Sequence, residues 1–286
     1  MTAVATALPP SADIIPASPF IKSAGGKRQL LPELIPRVPT TFNAYYEPTM
    51  GGAALFFALH TLGRLQNSHV VLGDANPLLC ELYTTVRDGV KNVLPLLRAH
   101  GRVHGKDHFL EVRDRLGRGN LAERAADLLY LNRTCWNGLM RFSKRGRFNT
   151  PMGSYVNPRI CDEPGLLAAS AALKNVEIIE GDFAITCKDA AAGDFIYFDP
   201  PYLPLSTTSD FTAYTKQDFT LADHERLRDL ARRLKAQGAK VLLSNSSAQP
   251  IRELYSKGFK VDEVAAKRCI NSKVAGRGKL TELLIY

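Results

Sequence analysis

The chain has 286 residues, and no apolar run in it approaches the ~20 that a membrane helix needs. A role inside the bilayer is therefore not expected. The first lysine is Lys22, so the Ala-, Pro- and Ser-rich start has no basic n-region and is not read as a signal peptide. Residues 1–18 are expected to form a loose tail. Cysteine is sparse. Cys80, Cys135, Cys161, Cys187 and Cys269 are odd in number, scattered, and form no C-x-x-C pair. This pattern points away from a disulfide framework and a zinc site, and a reducing cytoplasm is the expected compartment. No His, Cys or acidic cluster has metal-ligand spacing, so no metal is expected. Repeats, low-complexity tracts and the G-x-G-x-x-G spacing are also missing.

Acid is absent locally. Residues 131–160 hold six basic residues and no Asp or Glu; residues 267–279 hold five and again none. These two stretches carry eleven positive charges against a chain total of +9, so the remainder nets −2. Ordinary surfaces intersperse both signs. Two acid-free patches favour a polyanionic partner over a merely solvated face.

What is present reads as alternating strands and helices. Asn43 to Glu47 is a predicted strand, Pro48 to Gly52 a turn, and Ala53 to Leu65 a helix. His69 to Asp74 is a second strand ending in an acid. That acid has two readings of about equal weight: a grip on a ribose diol, or an N-cap for the helix that follows. Leu78 to Tyr130 is predicted helical, broken at Gly117 to Asn120. A helix near Gly165 to Leu173 leads to a third strand, Val176 to Asp182. A capping box at Thr220 and Asp223 starts a helix with Leu227, Leu230 and Leu234 on one face. Ala239 to Asn245 is the fifth strand. Two more follow, residues 259–270 and 281–286; with no helix between them they should pair antiparallel.

The fourth strand organises the rest. Phe195 to Phe198 is short, apolar and aromatic, and it runs into Asp199-Pro200-Pro201-Tyr202. The prolines stop the strand in a fixed shape. An acid and an aromatic then sit at its carboxyl end, the edge where open α/β sheets bind ligands. Between the second and third strands lies a segment of a different character, residues 131–158. There Trp136, Phe142, Phe148 and Tyr155 alternate with arginines and turn residues, and residues 144–147 read as a hairpin tip. Basic residues interleaved with aromatics suit phosphate contact plus base stacking. A plain basic surface hairpin is the competing reading.

Taken together, Lys22-x-x-Gly25-Gly26-Lys27, Glu47-Pro48-x-x-Gly51-Gly52, Asp74 and Asp199-Pro200-Pro201-Tyr202 resemble the motif set of the Dam-type (D12, alpha-group) adenine-N6 DNA methyltransferases. Tyr130 to Arg133, Asn137 to Leu139, Phe211 to Tyr214 and Ser244-Asn245 extend the resemblance over nearly the whole chain, from about Phe20 to Tyr286. It implies a Rossmann-like, mostly parallel α/β catalytic domain (residues 19–76 and 163–286) with a C-terminal antiparallel hairpin. It also implies an inserted helical and hairpin domain (77–162) for target recognition.

The implied enzyme is a monomer that moves a methyl group from S-adenosylmethionine to adenine N6 in double-stranded DNA, with GATC as the expected target. The resemblance places the cofactor against Ser23, Gly25, Gly26, Lys27, Glu47, Pro48, Met50, Gly51, Gly52, Asp74, Asp182, Phe183 and Asp199. It places DNA against Lys22, Asn132, Arg133, Asn137, Arg141, Phe142, Ser143, Lys144, Arg145, Tyr155, Lys267, Arg268, Lys273 and Arg277. Among these, Arg145 matches a reader of guanine, Lys22 a reader of the first base pair, and Phe142 a wedge into the stack. The chain departs from the family at Ser23, where an aromatic is frequent, and at Ser143, where Asn is usual. Two other substrates, RNA and a protein amide, are disfavoured because relatives acting on them more often carry Asn where Asp199 stands. A catalytically silent DNA binder is disfavoured by the intact Asp199 and Lys27.

Overall fold

The computed structural model describes residues 15–23, 26–143, 146–203, 219–267 and 279–286. Gly25, Lys144, Arg145, Arg268, Lys273 and Arg277 lie outside them, as do residues 1–14 of the expected tail and the Ser/Thr-rich segment after Leu203. Among the described residues one sheet holds β1 (Ala44–Glu47), β2 (His69–Asp74), β3 (Val176–Glu180), β4 (Phe195–Phe198), β5 (Lys240–Ser246), β6 (Val261–Lys267) and β7 (Lys279–Ile285). The helices are α1 (Leu31–Leu34), α2 (Ala54–Thr61), α3 (Pro77–Arg102), α4 (Lys106–Arg115), α5 (Leu121–Thr134), α6 (Glu163–Leu173), α7 (Phe183–Thr186), α8 (Leu221–Ala236) and α9 (Gln249–Leu254).

Strand order is β3-β2-β1-β4-β5-β7-β6. The first five strands are parallel; β7 runs antiparallel to both β5 and β6 and lies between them. This is the expected Rossmann-like sheet with its antiparallel end. The order reverses beside β1, so the β1–β4 junction is the switch point at which such sheets open a ligand crevice.

β1 and β4 are buried along their full length because helices cover both faces. Tyr45, Phe195 and Tyr197 point into one core, with α2, α3, α5 and α6. Tyr46, Ile196 and Phe198 point into the other, with α8 and α9. Each fully buried Leu or Phe side chain contributes about 1.5–3 kcal/mol, so these central strands are the most firmly held part of the sheet. α3 buries Leu79, Leu82, Tyr83, Val86, Val90, Val93 and Leu97 at helical spacing. Gly89 departs from helical dihedrals within it, six residues before Pro95. The break before α5 is where the glycines put it, and Asn120 and Glu123 close a capping box there. Thr220 and Asp223 do the same for α8. No helix among the described residues is long and apolar enough to cross a membrane.

Candidate active site

The carboxyl ends of β1, β2, β4 and β5 converge at the switch point. Asp199 follows β4 directly. Its backbone N–H donates to Thr49 Oγ1 at 2.8 Å, so the turn after β1 is tied to the turn after β4. Its side chain receives two donors on one oxygen. Lys27 Nζ lies 2.9 Å from Oδ1, and Ser244 Oγ, from β5, donates to the same atom at 2.8 Å. Tyr197 Oη is 3.0 Å from Ser244 Oγ and extends the chain of contacts into the core. Both contacts use Oδ1 and neither uses Oδ2. Burial pushes the Asp199 carboxyl up, and the Lys27 charge together with the Lys27 and Ser244 hydrogen bonds pull it back down. The result is a carboxylate held in one orientation with one oxygen committed.

Tyr202 sits beside it. Lys27 Nζ lies 4.4 Å from the centre of its ring, and its hydroxyl donates to Glu282 Oε2 at 2.6 Å. Lys27 therefore touches both the acid and the aromatic, and it is only 5 % exposed. Glu47, at the end of β1, is also buried. It accepts from Tyr45 Oη at 2.7 Å and from the Phe56 N–H in the first turn of α2 at 3.2 Å. Burial pushes its carboxyl up to about 8 against the Tyr45 hydrogen bond, and the Asp199 charge adds to the rise. Burial thus favours the neutral form of Glu47, which limits the negative charge beside Asp199.

The turn after β1 passes close to two other segments. Gly51 has φ +45°, a left-handed backbone that favours glycine. Its N–H donates to Asp74 Oδ2 at 3.0 Å, and its carbonyl accepts from Tyr83 Oη at 3.1 Å. Asp74 also accepts the Asn76 N–H on Oδ1 at 2.9 Å, while Asn76 itself caps α3. Of the two readings left open for Asp74, the N-cap is thus assigned to Asn76, and the acid instead braces the glycine turn. Met50 is buried and its N–H donates to the Gly73 carbonyl at 2.8 Å; Gly51 and Gly52 lie beside the Ser23 side chain, and the Ser23 carbonyl accepts from the Gly26 N–H at 3.1 Å. Pro48 is buried under the turn. Asp182 caps α7 through Ala184 and pairs with Arg226 at 3.1 Å, and Phe183 is buried under the Arg226 guanidinium.

The expected DNA-facing residues divide into two groups. Asn132 is a correction: it is fully buried, so its side chain does not reach a duplex. Its carboxamide accepts from the Lys22 N–H and donates to the Lys22 and Gly138 carbonyls, at 2.8, 2.8 and 3.1 Å. It pins two loops together. Gly138 must be glycine there, because a Cβ would meet the Lys22 side chain at 2.4 Å. Arg133 is turned inward as well, donating to the Phe20 carbonyl at 2.7 Å, and burial lowers its pKa. The others are exposed or half-buried where their side chains are described. Asn137 and Arg141 are exposed, and Tyr155 is 37 % exposed with Lys22 Nζ 3.9 Å over its ring. Lys22 Nζ also donates to the Arg133 carbonyl. Phe142 packs edge-on against Phe148 across the hairpin. Ser143 closes its tip, its N–H bonding to the Arg147 carbonyl at 2.8 Å. Lys267 ends β6, paired with Lys279.

Four residues enter the site that sequence reasoning gave no role: Thr49, Tyr197, Ser244 and Glu282. Ser244 carried a signal, because it lies near the carboxyl end of the fifth parallel strand, on the same sheet edge. Glu282 carried none, because its place depends on β7 inserting beside β5. Among the described residues no group of three or more His, Cys, Asp or Glu side chains is arranged to hold a metal.

The family described as D12 class N6 adenine-specific DNA methyltransferase matches residues 23–270. The type II methyltransferase M1.LlaDCHI of Lactococcus lactis subsp. cremoris is 40% identical over 274 residues, covering 93% of this chain and 94% of that protein. The type II methyltransferase M.MjaIII of Methanocaldococcus jannaschii is 39% identical over 272 residues, with coverage of 89% and 93%. The DNA adenine methylase of Escherichia coli (strain K12) is 32% identical over 268 residues, with 93% of each chain covered.

Proposed function

The chain belongs to the D12 class of N6 adenine-specific DNA methyltransferases, and on that premise we propose that it moves the methyl group of S-adenosylmethionine to adenine N6 in duplex DNA, with GATC as its target. The observation that carries the chemistry is the two-donor clamp on Asp199 Oδ1. Adenine N6 is a weak nucleophile because its lone pair is delocalised into the ring, and it carries two hydrogens. Asp199 Oδ2 accepts one and the Pro200 carbonyl the other. Two acceptors at that spacing favour a pyramidal, more electron-rich nitrogen. This is catalysis by positioning and charge placement, and it uses no covalent nucleophile. Tyr202 supplies a face for the base to stack on, worth roughly 1–3 kcal/mol, which offsets part of the few kcal/mol that extrusion of the base costs.

The donor set fits the cofactor. An acid ends β2 where a ribose diol is expected, the Gly51 turn brings backbone close, and Lys27 lies against the reacting corner. Asp74 would hold the ribose. Ser23, Gly25, Gly26, Lys27 and the Glu47 to Gly52 turn would hold the methionine end, and Asp182 and Phe183 would lie by the adenine. When bound, the cofactor supplies an electrophilic methyl group. Residues 77–162 form the recognition part, with Arg145 reading guanine, Lys22 the first base pair and Phe142 filling the gap left by the extruded base. Asn132 and Arg133 support that surface from beneath.

The test is methyl transfer from tritiated S-adenosylmethionine to short duplexes. A GATC duplex should be labelled and a scrambled duplex should not. Equal labelling of both would remove GATC, and no labelling of any adenine-containing duplex would remove the reaction.

A further inference from the structure

The corner holds one carboxylate to which no function has yet been given. Glu282 lies on β7, opposite Ser246 of β5 and Val264 of β6. Its register neighbour Val264 and the next residue on its face, Leu284, both point into the core that holds Tyr197. Glu282 and Ser244 therefore emerge on the same face of the sheet. Ser244 donates to Asp199, and Glu282 accepts from Tyr202 at 2.6 Å. That length is typical of a hydroxyl bound to a carboxylate.

Pro200 and Pro201 fix the backbone before Tyr202, but they leave its side-chain torsions free. Two contacts settle those torsions. Lys27, itself pinned on Asp199, covers one face of the ring, and Glu282 holds the hydroxyl at its far end. A ring held at the edge and on one face keeps a constant tilt relative to the Asp199 carboxylate. We infer that Glu282 is a positioning residue: by accepting the Tyr202 hydroxyl it fixes the phenol ring as the platform that aligns the target base with Asp199. The inference rests on the reading of this corner as the place of methyl transfer. An error of about 1 Å in such alignment costs on the order of a hundredfold in rate, so a missing anchor should be visible in turnover.

The experiment compares Glu282→Ala, Glu282→Gln, Tyr202→Phe and the double variant Tyr202→Phe/Glu282→Ala with the wild-type chain. Active fractions are set by burst titration. Glu282→Ala should lower kcat about tenfold and change KM for S-adenosylmethionine less than about twofold. Tyr202→Phe should fall equally, since it removes the same hydrogen bond. The double variant should be no worse than either single one. Glu282→Gln keeps an acceptor oxygen and should recover most of the loss. Multiplying losses in the double variant would overturn the proposal, as would a Glu282→Gln loss as large as that of Glu282→Ala, which would mean that the charge near Lys27 matters and the hydrogen bond does not. If Glu282→Ala does not fold, Tyr202→Phe and Glu282→Gln still decide: wild-type kcat in Tyr202→Phe overturns the role. A wild-type chain that transfers no methyl group overturns the underlying reading, and with it this role. An active wild type with the contrary variant pattern overturns the role alone.

Discussion

The Asp199 corner and the basic hairpin are built on opposite plans. At the corner, Lys27, Thr49, Ser244 and Glu282 come from four separate parts of the chain and meet Asp199 or Tyr202 through polar contacts of 2.6 to 2.9 Å. In the hairpin, the backbone is closed by local hydrogen bonds and by the Phe142–Phe148 pair, while Asn137 and Arg141 are exposed. Chemistry that depends on sub-ångström placement is preorganised inside the fold. In the proposed reading, recognition is left to side chains whose partners arrive with the substrate. The cost of ordering those side chains is met on binding.

Breaking the corner should have the larger effect. Lys27→Ala removes the cation that offsets burial of Asp199, so the carboxyl pKa rises further above its ordinary value. At pH 7 a smaller fraction is ionised, and methyl transfer should fall by about a hundredfold or more. The variant should regain activity as pH is raised, more steeply than wild type, in a kcat–pH profile. A flat, parallel profile would mean that Lys27 acts on the cofactor and leaves Asp199 unaffected.

Breaking the hairpin should change choice more than rate. Arg145→Ala should lose about 1–3 kcal/mol of discrimination between GATC and a site changed at one guanine, measured as a ratio of kcat/KM values. If only the salt dependence of DNA binding changes, Arg145 touches phosphate. The smallest effect on recognition should come from Asn132→Ala, which sharpens the boundary between the two plans. It strips three buried or half-buried backbone groups of their partner, so it should lower stability by roughly 1–3 kcal/mol in denaturant unfolding. The salt slope for DNA should stay that of wild type; a reduced slope would return Asn132 to the interface.

The same contrast explains what was legible beforehand. The strands could be read because β4, buried on both faces, is an apolar run and β1 carries two aromatics between turn residues. Asp199 could be read because prolines stop a strand at the one edge where ligands bind. The capping box of α8 is local and was visible as such, whereas the start of α5 was read only as a break at Gly117 to Asn120. Glu282 was not legible: an antiparallel strand that slots between β5 and β6 is decided by pairing across the sheet, and nothing within residues 279–286 announces it. Asn132 was misjudged for a related reason. The resemblance placed it on the DNA face with its neighbours, yet its carboxamide joins the distant Lys22 backbone to the Gly138 carbonyl. α7 and α9 were missed because helices of four and six residues carry too little periodicity to see.

The central claim is that Asp199 holds adenine N6 for methyl transfer. It is tested most directly by incubating adenine-containing duplex DNA and S-adenosylmethionine with either the wild-type chain or Asp199→Ala, digesting the DNA to nucleosides and measuring N6-methyldeoxyadenosine by mass spectrometry. The account predicts the modified nucleoside from wild type and none above background from Asp199→Ala, with DNA binding by the variant retained. Equal product from both, or methylation of cytosine in place of adenine, would contradict it.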